Sequence, residues 1–180
     1  MAATVLEPGA LAVSLAEVKA YLRIDHDAED ALLAGLVRSA TGLCEAFTGQ
    51  TLLARQADET IPASGAWRRL SLTPVRSIGP LEGLPAAGAA FLLPADAYGV
   101  DIDANGDGWV RVMLPGSAAR VKVGYSAGMG ADWNGIPEAL RQGIVRLVGH
   151  FHAHRDAAGD AGPPAAVTAL WRPWRRMRLR

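Results

Sequence analysis

A single cysteine, Cys44, stands in the 180 residues, so no disulfide can close within the chain and its fold rests on noncovalent packing. Cys44 falls on an apolar helical stripe. The ordinary role of a free cysteine there is a small buried hydrophobe, and a reducing compartment is its simplest setting. Long apolar runs are missing too. The longest uncharged stretch between Glu82 and Asp96 is broken by Pro85 and Gly88 and is too short to span a bilayer. The N-terminal MAATVLEPGALAVS has no basic start, and Glu7, Pro8 and Gly9 interrupt it, so it does not read as a signal peptide. These absences predict a soluble, cytoplasmically made chain with no membrane segment. No phosphate loop, dinucleotide-binding glycine fingerprint, serine elbow or carboxylate pair of defining spacing occurs, so no catalytic residues and no cofactor are expected. A metal-dependent hydrolase is a distant third reading.

Net charge is absent as well, but the zero hides a gradient. Residues 1–60 hold nine acids against four bases, and residues 136–180 hold eight arginines against three acids. Poles of this kind can attract within a subunit or between neighbours packed head to tail.

What is present begins with Ser14–Gly49. Ser14 and Glu17 are spaced as a capping box, and Leu15, Val18 and Leu22 then share one face, predicting a helix over about Leu15–Arg23. Asp27 is placed to cap a second helix, with Glu29 and Asp30 at its positive end. Leu32, Leu33, Leu36, Val37, Ala40, Leu43, Cys44 and Phe47 form its stripe, and Gly49 is a natural left-handed stop. The stripe is wider than one partner needs. We expect Leu33, Leu36, Val37 and Ala40 to meet a neighbouring subunit.

After Gly49 the period changes to short alternating segments divided by Gly and Pro, predicting strands over 51–61, 67–73, 75–81, 89–93, 98–102, 109–114 and 120–124. No crossover helix fits between them, so one small antiparallel sheet is expected. Helical periodicity returns at Pro137 and Glu138, with Leu140, Ile144, Leu147, Val148 and Phe151 on one face, and should end near Arg155. DAAGDAGPP at 156–164 reads as a linker, and 165–180 as an extended tail. The fold class is therefore α+β: a helical body with an inserted β lobe over 50–125, all within one domain.

Three constellations carry possible chemistry. Asp101, Asp103 and Asn105 imitate the first half of a calcium loop, but the twelfth position is Val112 where a bidentate Glu is required, so a hairpin turn is the better reading. His150 and His154 share a helix face without a third ligand, and helix-end histidines facing the negative dipole account for them, so no metal is expected. Aromatics are scarce at 6 %, yet two of five tryptophans fall in the last ten residues, among Arg172, Arg175, Arg176, Arg178 and Arg180. Arginine with tryptophan suits a protein groove or, through phosphates and stacking, nucleic acid.

Together, the segments at 14–53, VKVGYSAGMG at 121–130 leading into 136–156, and the closing ALWRPWRRMRL resemble the head-tail connector (adaptor) family of tailed phages and gene transfer agents. The resemblance implies a ring, commonly of twelve subunits, beneath the portal protein, linking capsid to a tail or stopper protein, with DNA passing through the lumen without sequence-specific binding. It places the protein in the neck of a virion or phage-like particle. It also implies that the C-terminal tail docks on the portal, for which we nominate Leu170, Trp171, Arg172, Trp174, Arg175, Arg176 and Arg178. With so few apolar residues, the tail is expected to be mobile until assembly. The alternative is a DNA-binding module using the same Arg/Trp tail.

Overall fold

Ser14 begins the first helix as its sequence requires. In the computed structural model, which describes residues 3–5, 11–154 and 163–176, its hydroxyl accepts the Glu17 amide at 3.2 Å at the start of α1 (Leu15–Leu22). The reciprocal half of the capping box is incomplete: Glu17 Oε2 is shielded and makes no hydrogen bond. Arg23 ends α1 in the left-handed region at φ 59°, and the Ile24 amide returns to Lys19 O at 3.0 Å, closing the last turn.

The second helix, α2 (Asp30–Thr48), starts later than expected. Asp27 does not cap it. Glu29 occupies the cap position without a side-chain capping bond, while Asp27 and Asp30 converge on Lys19 Nζ at 2.5 and 3.0 Å. The lysine raises the attraction of both acids across the turn, and it holds the Asp27 carboxyl below the usual carboxylate range. Gly49 stops α2 at φ 68°, as read.

The chain divides into two compact units, one of residues 10–53 with 129–180 and one of residues 1–9 with 54–128. In the helical unit, Leu33, Val37, Ala40 and Cys44 of α2 join Leu140, Ile144, Leu147 and Val148 of α3 (Glu138–Ala153) in one core with Val18 of α1. Full burial of each such aliphatic side chain favours the fold by about 1.5–3 kcal/mol. Helices α1 and α3 meet closely at Gly149, where a Cβ would stand 2.8 Å from Tyr21 Cε1. The segment after the predicted linker is not extended. Ala165–Trp171 is a helix, α4, continued by a 3-10 turn at Arg172–Trp174, and Val167 and Trp171 belong to the same core. Most of the linker, 156–162, lies outside the described residues. No described helix is long and apolar enough to cross a membrane.

The β unit holds two sheets where one was expected. The larger has the order β1-β2-β8-β4-β5, from Thr4–Val5, Arg55–Pro62, Ala118–Ala127, Val75–Pro85 and Phe91–Leu92. The smaller has the order β3-β7-β6, from Arg68–Arg69, Gly108–Val112 and Tyr98–Ile102, and every pairing in both is antiparallel. Strand alternation is visible in β8, where Val121, Val123, Tyr125 and Ala127 are buried, and in β7, where Gly108, Val110 and Val112 are. Gly108 is there for packing rather than for a turn: a Cβ would lie 2.8 Å from Val75 Cγ2. The one deeply buried carboxylate among the described residues, Glu59, accepts from Ser71 N, Ser71 Oγ and the Tyr125 hydroxyl at 2.9, 2.7 and 3.1 Å. That satisfies it internally, and burial pushes the Tyr125 phenol up, keeping it a donor.

Candidate interaction surfaces

Sequence reasoning nominated Leu33, Leu36, Val37 and Ala40 as a contact with a neighbour. The structure places Leu33, Val37 and Ala40 at 0 % exposure in the chain's own core, with Leu36 half-buried beside it. The physical reason is that α3 and α4 both pack on the middle of this stripe, so these residues are covered within the subunit.

The opposite face of α2 is the unusual one. At about 100° per residue, Ala31, Gly35, Ser39, Gly42 and Ala46 line up directly away from the core residues. Along its middle this face has no charged side chain; Leu32 and Leu43, 42 % and 40 % exposed, border it on one side and the exposed Arg38 on the other. A helix exposed only to water ordinarily carries charge there. Each glycine in a helix interior costs about 1 kcal/mol relative to alanine, and a Cβ at Gly35 or Gly42 would meet nothing within 4 Å. The fold of the single chain gives no reason for either glycine.

The C-terminal nominees separate into two groups. Trp171 is fully buried: its Nε1 donates to Leu140 O at 3.4 Å and its ring lies 5.9 Å from that of Phe47. It seats over Gly143, where a Cβ would stand 2.0 Å from Nε1. Leu170 and Trp174 are partly buried against the same core. Two polar ties hold the exit: Gln50 Nε2 donates to Trp174 O at 2.6 Å and the Arg176 amide to Thr48 O at 2.9 Å. Arg172 and Arg175 are exposed, the latter with its guanidinium 5.5 Å from the Phe47 ring. Arg178 and Arg180 lie outside the described residues. The expectation of a tail free until assembly is thus corrected for Val167–Arg176, because Gly143 opens a slot that a tryptophan fills. Sequence reading missed Gly143; a glycine on the apolar face of α3 was the available signal.

The Asp101–Trp109 loop is a hairpin joining β6 and β7, with Gly106 at φ 75°. Asp103 is its organiser, accepting from Asn105 N at 2.8 Å, Asp107 N at 3.0 Å and Trp109 Nε1 at 3.1 Å, while Asp107 bonds Arg69 and Thr73. Asp103 and Asp107 already serve protein donors. Calorimetric titration with calcium should therefore show no micromolar site, and Asp103→Ala should lower stability by about 1–3 kcal/mol through the donors left unpaired. A micromolar site abolished by that substitution would overturn the assignment.

The histidines likewise have partners within the chain: His152 Nε2 is 2.9 Å from Glu29 Oε2, and the exposed His154 Nδ1 is 2.9 Å from His150 O. Among the described residues no three His, Cys, Asp or Glu side chains are grouped to hold a metal. Burial pushes the Cys44 thiol up to about 12, which removes it as a nucleophile near neutral pH.

With this geometry in place, comparison with known proteins is specific. Residues 12–70 match the family model described as phage gp6-like head-tail connector protein. No protein of curated function matches the sequence. Among solved structures, a chain in the neck of an empty gene transfer agent particle, computed with C6 symmetry, is 26 % identical with a TM-score of 0.81, covering 99 % of this chain and 97 % of that one. A chain in the neck of a native gene transfer agent particle, computed with C12 symmetry, is 28 % identical with a TM-score of 0.77, covering 98 % and 97 %. A chain from the virion of the native particle is 27 % identical with a TM-score of 0.76, covering 99 % and 97 %.

Proposed function

We infer, from a chain that belongs by its residues 12–70 to the gp6-like head-tail connectors and by its whole length to the fold of these neck subunits, that it is a structural head-tail connector of a phage-like particle. It is not an enzyme. It acts as a ring of identical copies in the particle neck. The single observation that carries the mode of assembly is the outward face of α2, which is uncharged along its middle, lined by Gly35, Ser39, Gly42 and Ala46, and bordered by Leu32 and Leu43. Small residues let a second backbone approach closely, and the bordering leucines supply the apolar area that close approach buries. We place this face, with Leu36 at its margin, in the contact between adjacent copies, in place of the buried Leu33, Val37 and Ala40.

Twelve copies is the count we propose. The portal-facing element is the C-terminal end, with Arg172, Arg175, Arg176 and Arg178 meeting acidic side chains and Trp174 the accessible aromatic. Trp171 and Leu170 act behind them, by fixing the segment on α3. A tail or stopper protein occupies the other side of the ring, and DNA passes through its lumen without sequence-specific contacts. DNA binding by base stacking on Trp171 is disfavoured, since that ring has no exposed face.

Particle images of the purified protein, alone and with its portal, test the reading: rings are expected, and a monomer in both samples overturns it. Charge sharpens the test. The acids Asp25, Asp27, Glu29 and Asp30 sit at the start of α2, and Arg175 and Arg176 pack at its end. Those ends are about 28 Å apart along a 19-residue helix. Exposed poles are screened beyond about 8 Å at physiological ionic strength. Sedimentation should accordingly show weaker self-association as salt rises, and association that strengthens with salt would remove charge from the contact.

A further inference from the structure

Among the described residues, three of the four sheet edges in the β unit are two residues long: β1, β5 and β3. Short edges give another chain little to pair with. The fourth edge, β6, runs five residues in unbroken register, Tyr-Gly-Val-Asp-Ile, without the proline, lysine or bulge that commonly blunts an edge.

The phase of its hydrogen bonds follows from the hairpin. Asp103 N donates to Asp107 O at 3.0 Å, and bonded and non-bonded pairs alternate down an antiparallel ladder. Asp101 and Gly99 therefore bond Trp109 and Arg111. The N–H and C=O groups of Tyr98, Val100 and Ile102 point to the free side, where no partner is found among the described residues. The side chains along this edge alternate in kind as well as in direction. Val100 and Ile102 lie on one face of the sheet, 44 % and 39 % exposed, and the exposed Asp101 lies between them on the other.

We propose that the free edge of β6 is a strand-addition site for an extended segment of a different polypeptide whose central triplet reads apolar, basic, apolar. Main-chain groups of Tyr98, Val100 and Ile102 supply the attachment, as in other strand-addition complexes. Specificity comes from cross-strand neighbours: apolar side chains beside Val100 and Ile102, and a cation beside Asp101. The edge is poorly suited to a second copy of itself. Asp101 is the one charge on this strand, so self-pairing brings two acids onto one face, where the base Arg111 stands on the inner strand rather than on the paired edge.

The test uses the full-length, isotope-labelled protein and a capped synthetic peptide of alternating valine and lysine. Saturable amide shifts should centre on Tyr98–Ile102, and exchange of the Tyr98, Val100 and Ile102 amides should slow about tenfold at saturation. The same peptide N-methylated at alternate residues should not bind, and one with glutamate in place of lysine should bind about tenfold more weakly. Val100→Pro should abolish binding by deleting an outward N–H. Because that variant can fail to fold, Asp101→Lys provides the second arm, in which preference should reverse toward the glutamate peptide. Shifts centred elsewhere, equal binding of the N-methylated peptide, an unreversed preference in Asp101→Lys, or pairing of this edge with another copy in peptide-free protein would each overturn the proposal.

Discussion

Gly143→Ala should unseat the C-terminal helix, at a net cost of about 3 kcal/mol in the helical unit. The added methyl would stand 2.0 Å from Trp171 Nε1 and 2.8 Å from two further ring atoms, so the indole must leave its slot. What is lost approaches the loss from Trp171→Ala itself, about 3–5 kcal/mol for deleting a buried tryptophan. What is gained is about 1 kcal/mol of helix propensity from replacing an interior glycine. Chemical denaturation followed through tryptophan emission reads both, since Trp171 moves from a dry site to water. The double variant decides the mechanism. With Trp171→Ala already made, no ring remains to clash, and Gly143→Ala should turn neutral or stabilising, giving strong coupling between sites in contact. If Gly143→Ala costs the same in both backgrounds, the slot is not the reason. Portal attachment should fall in the same variants, because α4 carries the arginines into place.

This pair also marks where the sequence was hard to read. Ser14, Gly49 and the Pro137–Glu138 start announced their helices through local chemistry, since caps and stops act within a few residues. Trp171 and Gly143 are 28 positions apart, and neither means much alone. A tryptophan among arginines suggests a surface anchor; only a glycine brought opposite it makes a buried one. Asp27 failed as a predicted cap for a similar reason, with Lys19 arriving from the previous helix to claim it. The division into two sheets was invisible because alternation reports which residues face inward, not which strands pair. Thr4–Val5 was missed because two residues carry no period. For α2, the middle of the apolar stripe lies in the core, but which neighbour covers it is decided by chain topology: α3 and α4 take Leu33, Val37, Ala40 and Cys44 and leave Leu32 and Leu43 exposed.

The outward face of α2 yields the second large effect, and there stability and assembly should move in opposite directions. Gly35 and Gly42 have open space at their Cβ positions, so Gly35→Gln and Gly42→Gln should be accommodated in the single chain and should stabilise it by about 0.5–1 kcal/mol each through helix propensity. Between copies the same side chains act as spacers. A helix packed on a glycine face approaches within about 8 Å, at the short end of the 8–10 Å range for helix pairs, and a glutamine on each contact forces the pair apart. Separation by even an ångström forfeits much of the dispersion energy along the seam and leaves polar amides facing Leu32 and Leu43. The expected result is a protein that melts at a higher temperature than the parent yet no longer forms rings by sedimentation or particle imaging. Rings that survive both glycine substitutions would exclude this face from the contact. A glutamine pair that lowers the melting temperature would instead mean that the glycines serve the fold of the single chain.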